Sequence, residues 1–570
     1  MTSRNHHIIL ATVLAVLLGA EPSRASAQSL PLKHAPRPTT AGITVEDLMT
    51  REYIIADDSM QGRDTGRPGG LRAATYIANE LKALGLAPAG DRGTYLQEIP
   101  WVRRGPDTTS TLRIGDALLR WGTDYLPLQR LGAQIFIAGG VFGSPFAGDN
   151  VESIYGGTLG DSAIISPEVA RGKVVVFSAP VAMRGRPVWQ RISLIRYADA
   201  RAVVIASLGP DTYPAMREMR EIYWDSLAPG PRAVSLIAVS PEIVRRIFSS
   251  DTPVMGAAGL PISGRVSFKA EPAPSPTYNV VGIVRGSNAR LRNTYVAVGA
   301  HHDHVGMAPS AVDHDSLRAF NTLLRPMGAD QPPPRDVTAE QHQRVKVLTD
   351  SLRLAHGGAR RDSIFNGADD DGSGTVLGLE LAEALTKGQR PERSVLFVFH
   401  AAEEKGLYGA QYYSDHPTVP RDSMVALINM DQMGRGDPPD SSASGPNALV
   451  VLGVRRMSRQ LGAIAESVNA RPEYGFRFDM SFDEPGHPSQ GWCRSDHYYY
   501  ARYGVPVLFF VSDIWYQDYH MVSDEPQYVE YPRLAKVGQY ILDVVRSVAK
   551  LPARPVLDQP KMNPYGDCRQ

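Results

Sequence analysis

Cysteine is nearly absent. Only Cys493 and Cys568 occur in 570 residues, so a cysteine-based zinc site is excluded by count. Any metal has to be held by His, Asp or Glu. An exported chain could pair the two thiols, and sequence leaves that pairing open. An excess of one charge is also lacking, with Lys+Arg and Asp+Glu at 60 each. Nucleic acid is not an expected partner, because a basic excess is its usual footprint. Beyond the first twenty residues no stretch reaches the ~18 apolar residues of a membrane span. No internal repeat is evident.

The chain opens on a leader. MTSRNHH carries Arg4 and precedes the apolar run Ile8 to Ala20, followed by Ala25-Ser26-Ala27. A basic start, a short apolar segment and a small-residue cleavage site make a secretory signal peptide over residues 1–27. The apolar run, about 13 residues, is short for a span. No cysteine follows it to take a lipid. The mature protein is expected to be soluble and exported, periplasmic or secreted, with no stable membrane anchor.

At 570 residues, more than one domain is expected. Ala73 to Leu86 shows helical apolar spacing with Gly85 as a stop, behind the turn-rich GRDTGRPGG. Residues 119–262 carry short β-type runs such as KVVVFSAP and AVVIAS, and read as a mostly β module. EPAPSPT then marks a return linker. From Asn279 strands and helices alternate, which predicts an α/β domain around a largely parallel sheet covered on both sides. Residues 305–365 interrupt that alternation with QPPPRD and a polar helical stretch, an insertion expected on the sheet's rim as a lid or contact surface. Residues 553–570 form a C-terminal tail.

Chemistry-bearing residues follow the strands. TYVAVGA leads into His301-His302-Asp303-His304, SVLFVFH into Glu403-Glu404, MVALINM into Asp431, and VPVLFFVSD, after a loop, to His520. GADDDGSG, with Asp369, Asp370 and Asp371, opens a helix. Ligands of open α/β sheets bind outside the carboxyl ends of strands, so these clusters can meet in one site. Two His with three carboxylates suffice for two metals sharing a bridging carboxylate, and the donors suit zinc. Strand alternation places His301 and Asp303 on one side, making His301 the ligand and Asp303 its orienting partner. His302 and His304 read as surface or core residues. Of two adjacent glutamates, one can bind metal while the other takes a proton.

GAHHD, GADDDGSG, AAEEKGLYGA, NMDQMG, RSDHYYYARYGVPVLFF and YHMVSD, in this order, resemble the M28 family of zinc metallopeptidases. GRDTGRPGG resembles that family's N-terminal region, and 119–262 resembles the protease-associated domain often inserted in it. The resemblance implies a three-layer zinc-exopeptidase-like fold over 28–118 and 263–552, with an inserted protease-associated domain. It implies two Zn2+ ions, with other divalent metals possible. His301 and Asp431 would hold one and Glu404 and His520 the other, with Asp370 bridging. Glu403 would be the general base, supported by Asp303. Tyr519 matches an oxyanion donor, and Arg494 is a candidate substrate contact. Asp371, Asp496 and His497 are expected behind the ligands. The Asp370–Asp371 peptide is expected to be cis. The implied activity is release of N-terminal residues from peptides or proteins. Carboxypeptidase, dipeptidase or glutaminyl-cyclase chemistry, or a receptor-like binding role, are the alternatives.

Overall fold

The structure is a computed structural model. It describes residues 31–558 except 129, 132–140, 162, 180–193, 210–219, 224–232, 437–446, 488 and 513–515. The leader and Cys568 lie outside the described residues. Cys493 is buried and disulfide-bonded.

Four apolar runs form the centre of the main sheet. In spatial order they are Ser394–His400, Tyr295–His301, Met424–Met430 and Val507–Val511, all mutually parallel. Thr277–Val284 and Ala448–Leu452 flank them antiparallel. Every residue of the four inner strands is buried, as expected where both faces of a parallel sheet are covered.

The pleat sorts these side chains between two helical layers. Val296, Val298, Phe397 and Phe399 pack with Leu48, Ile77, Leu377, Leu461 and Val537 of five helices: Val45–Ile55, Pro68–Ala83, Gly374–Lys387, Arg459–Asn469 and Tyr531–Ala549. Ala297, Leu396 and Val398 face the other way, against Tyr408–Asp415 and His497–Arg502. The architecture is therefore a three-layer α/β sandwich with a mostly parallel centre. Local signals agree with it. Pro68 occupies the first turn of its helix, and Gly85, at φ 77°, adopts the left-handed geometry after its end.

A separate eight-stranded sheet draws on residues between Thr111 and Val266. Its inner strands Phe146–Thr158, Val174–Ser178, Ala202–Ala206 and Leu236–Val239 run parallel. Trp101–Pro106 and Phe268–Pro272 pair antiparallel where the chain leaves and returns.

The 305–365 insertion is an ordered subassembly. Met307–Asp313 pairs with Arg361–Ile364, and between them lie the helices His314–Leu324 and Ala339–His356. The second helix starts at a capping box, Thr338 with Gln341, and ends at left-handed Gly357. Among the described residues, no helix is long and apolar enough to cross a membrane.

One buried ion cluster ties the outer helices together. Arg51 pairs with Glu383 at 2.6 Å, with Glu80 at 3.3 Å, and with Glu380. Burial pushes Glu380 up to about 8 despite the Arg51 charge. Removing one partner of a buried pair strands the other charge. Arg51→Ala is expected to cost roughly 3–5 kcal/mol of unfolding free energy. Glu380 with a raised folded pKa takes up a proton on folding, so its charge opposes the fold increasingly as pH rises toward that value. The deficit measured by urea titration should therefore be larger at pH 8 than at pH 5.

Candidate metal centre

Because the four inner strands are parallel, their carboxyl ends open on one edge. His301 ends its strand, Asp431 follows Met430 directly, and Glu403 and Glu404 stand just beyond His400. Asp370 arrives from a different direction. GADDDGSG folds as a wide turn, Ala368–Ser373, that runs into the helix Gly374–Lys387. Gly367 enters at φ 56°, and a Cβ there would meet the His304 ring at 2.5 Å. A Cβ on Gly374 would fall 2.3 Å from Asp371 Oδ1, so both glycines are required by close approach. The Asp370–Asp371 peptide is cis.

The Asp370 carboxylate lies between two histidines. Its Oδ1 is 3.2 Å from His301 Nε2 and its Oδ2 is 3.0 Å from His520 Nε2. Asp431 Oδ1 is 3.5 Å from His301 Nε2. Glu404 Oε2 is 3.1 Å from His520 Nε2. Two ligand sets thus adjoin across one aspartate. Burial works against the Asp370 charge, yet the His301 and His520 rings beside it hold its carboxyl well below the usual range.

A fit to metal can be read from buried donor atoms. His301 Nε2 and Asp431 Oδ1 make no hydrogen bond in the structure, and the two Glu404 oxygens face only the ring nitrogens of His304 and His520. Buried polar atoms are rarely left this way, and cations bound between them would satisfy all four. The His301 tautomer agrees. Its Nδ1 is 3.2 Å from the Asp303 carbonyl, which can only accept, so Nδ1 carries the proton and Nε2 keeps its lone pair.

That contact revises one expectation. The Asp303 carboxylate does not orient the His301 ring, which lies 3.8 Å away. It accepts instead from Glu403 N at 3.0 Å and Thr65 Oγ1 at 2.9 Å. Asp303 thereby joins the His301 loop to Glu403. Burial pushes its carboxyl up to about 7.

His304 is buried, as a core residue would be, and it stands beside the candidate ligands. Its Nδ1 is 2.7 Å from Glu404 Oε1, and its ring stands edge-on to His520 with centroids 5.3 Å apart. His304, Asp370, Glu404 and His520 can offer donors within 4.8 Å of one another. Alternation along the strand could not find it, because the strand ends at His301. His302 is a core residue, with Nε2 3.0 Å from the Tyr278 carbonyl.

The remaining acids have other partners. Asp371 Oδ2 accepts from His301 N, and its Oδ1 accepts from Gly374 N and Gln432 N, at 3.0–3.2 Å. With both oxygens held by backbone donors, Asp371 shapes the loop, although it lies near His301 and Asp431. Asp369 accepts from Gly434 N and Ser373 Oγ. Asp496 sits behind the site, its Oδ2 3.1 Å from His400 Nδ1. His497 lies apart from the ligands: its ring stacks on Phe509 at 4.3 Å and abuts Trp492.

Two further residues, not apparent from the motifs, hold the ligand loops. Arg63 is fully buried and donates to the carbonyls of His302 at 2.9 Å, Gly367 at 2.8 Å, Asp370 at 3.3 Å and Asn366. One guanidinium thus joins the His301 loop to the Asp370 loop. Asp524 accepts from Asp369 N and Asp370 N, and Arg435 pairs with it at 3.1 Å. Strain collects nearby, since Ala402, Gln432 and His520 all have left-handed φ, between 51° and 57°.

A pocket opens on this centre, lined by Glu403, Gln432, Arg494, Phe509, Val511 and Tyr519 among others. Tyr519 stacks on His520 with centroids 4.0 Å apart. Burial holds the Glu403 carboxyl well above the usual range; His301 opposes this, and Glu404 and Asp431 add to it.

Residues 349–545 match peptidase family M28. A probable zinc metalloprotease of Pyrenophora tritici-repentis is 24% identical over 273 residues, covering 41% of this chain and 52% of that protein. A probable aminopeptidase of Saccharomyces cerevisiae is 26% identical over 138 residues, covering 23% of this chain and 34% of that one. The chain spans about half the length of the first of these relatives. An aminopeptidase structure from Aneurinibacillus sp. strain AM-1 aligns at a TM-score of 0.44 and 15% identity, covering 91% of this chain and 97% of that one. The segment similar to peptidase family M28 contains Asp370, Glu403, Glu404, Asp431 and His520.

Proposed function

We propose that this chain is an exported zinc exopeptidase, an aminopeptidase that releases N-terminal residues with two metal ions and Glu403 as base. The observation that carries the reading is the position of Asp370, within reach of ligand histidines on both sides and beside the pocket that holds Glu403. His301 and Asp431 would hold one ion, and Glu404 and His520 the other, with His304 within reach of the second. Bound there, divalent ions would supply Lewis-acid polarisation of a scissile carbonyl and of the attacking water. Zinc suits these donors, as do cobalt and manganese.

The protein's own groups would do the rest. Glu403 accepts the proton of the attacking water and returns it to the leaving amine. Burial raises the Glu403 carboxyl above its usual range, and divalent ions bound beside it would favour its charged form. Tyr519, on the pocket wall, would donate its hydroxyl to the developing oxyanion. The pocket's apolar side, Phe509 and Val511, would take substrate side chain. In the same reading the sheet between 111 and 266 is the protease-associated module, and residues 1–27 direct export.

Three outcomes are expected. Glu403→Gln should lower kcat by at least about a thousandfold while metal analysis finds the zinc content unchanged; full activity would rule the base out. Asp370→Ala should lose metal at both sites; unchanged stoichiometry would rule out its bridging place. Aminoacyl-nitroanilides should be hydrolysed and N-blocked peptides should not. The reverse pattern would make the enzyme a carboxypeptidase or endopeptidase instead.

A further inference from the structure

The 305–365 insertion reaches into the site. Its short turn Gly328–Asp330 lies against the segment that carries Tyr519 and His520. Ala329 N donates to the Tyr519 carbonyl at 3.0 Å. Gly328 has φ 52°, and a Cβ there would fall 2.6 Å from that same oxygen. Arg318 pairs with Asp518 just before the ligand, and beyond it Glu525 meets Arg360 at 3.1 Å and His314 at 3.2 Å. These contacts bring Asp330 to the pocket wall, with Oδ2 2.7 Å from Arg494 Nη2.

Arg494 lines the pocket with Glu403, Glu404 and Tyr519. A guanidinium there would by itself be a strong anchor for a substrate carboxylate, because its planar fork matches two carboxylate oxygens. Asp330 changes that. The two side chains are both only about a fifth exposed, at 19% and 21%, so water screens their attraction weakly. Asp330 and the Tyr519 hydroxyl both engage the guanidinium, and the Arg494–Asp330 pair has no net charge. A free carboxylate brought to Arg494 would meet the Asp330 charge as well as that of Glu404.

We infer that Asp330, supplied by the insertion, is a specificity-determining residue. It cancels Arg494 and turns the site away from substrates with a free carboxylate close to the scissile bond, dipeptides above all, in favour of longer or C-terminally amidated peptides. This rests on the exopeptidase reading of the same site.

The test compares leucyl-leucine as free acid and as amide. In the wild-type protein the amide should have the higher kcat/KM. In Asp330→Asn the ratio of acid to amide should rise about tenfold, through a lower KM for the acid, as one screened charge is removed. Arg494→Gln should move the ratio the opposite way, since Asp330 is then left uncompensated. A variant that binds less zinc is replaced by its partner variant in reading the ratio. An unchanged ratio in either variant overturns the inference. So does an equal fall in kcat for both substrates, which would make Asp330 only a brace for the Tyr519 segment. Calorimetric binding of the two dipeptides as reduced-amide analogues reads the same ratio without turnover. A protein that hydrolyses nothing thus refutes the proposed activity while the role of Asp330 is still decided.

Discussion

Buried negative charge is the constraint on which the centre of this structure depends. Asp303, Asp369, Asp370, Asp371, Glu403, Glu404, Asp431 and Asp524 all lie out of solvent within a few loops of one another. An isolated buried carboxylate is very costly, so each must be neutralised, paired or hydrogen-bonded. The structure divides them by the compensation they receive. Asp303, Asp369 and Asp371 accept backbone N–H groups and so determine loop shape. Asp524 takes Arg435 and two loop N–H groups. Asp370, Glu404 and Asp431 face histidine nitrogens, with oxygens left to other partners. Compensation by backbone donors thus separates the acids that shape loops from those that remain candidate metal ligands, without reference to motif.

The same constraint explains the framework around the site. Carboxylates that would otherwise repel must be held at fixed separations, and loops alone are poor at this. Parallel inner strands supply His301, Glu403, Glu404 and Asp431 from rigid ends. The Asp370 loop has no strand of its own to lean on. Arg63 joins it to the His301 loop through carbonyls, and Asp524 holds its amides from the opposite side. Carbonyls are drawn toward an arginine and amides toward an aspartate, so the loop is tied by both polarities of its backbone. Such a frame leaves little freedom for Asp370 to follow one histidine at the expense of the other.

Much of this was legible in the order of residues. Long apolar runs ending in His or acid revealed the strands and brought the candidate ligands to one edge, because a buried parallel strand has few other compositions and its carboxyl end is where ligands bind. The turn-rich GADDDGSG before a helical stripe placed Asp370 correctly at a helix start. What escaped depended on distant contacts. Arg63 reads as one basic residue in a turn-rich loop, and the His302 and Gly367 carbonyls it joins lie more than two hundred residues away in sequence. His304 stands beyond the strand end, where alternation no longer says which way a side chain points. The rule also misread Asp303, whose own backbone carbonyl, not its carboxylate, meets the His301 ring. Asp330 sits in a polar insertion with no motif, and only the folded chain brings it to Arg494.

The insertion is best understood as part of the site's wall. A lid that opens freely would leave few polar groups committed to the body beneath it. Here the insertion shares a backbone hydrogen bond with Tyr519 and ion pairs with Asp518, Glu525 and Arg494. Each pair is largely shielded from water, so opening would expose partners on both sides at once. The insertion therefore acts on two properties together: the position of the segment bearing His520, and the charge of the pocket beside it. Deleting the segment would alter both and separate neither. An isosteric change at Asp330 removes the charge while leaving the Ala329–Tyr519 hydrogen bond in place, so geometry and electrostatics become separable at that residue.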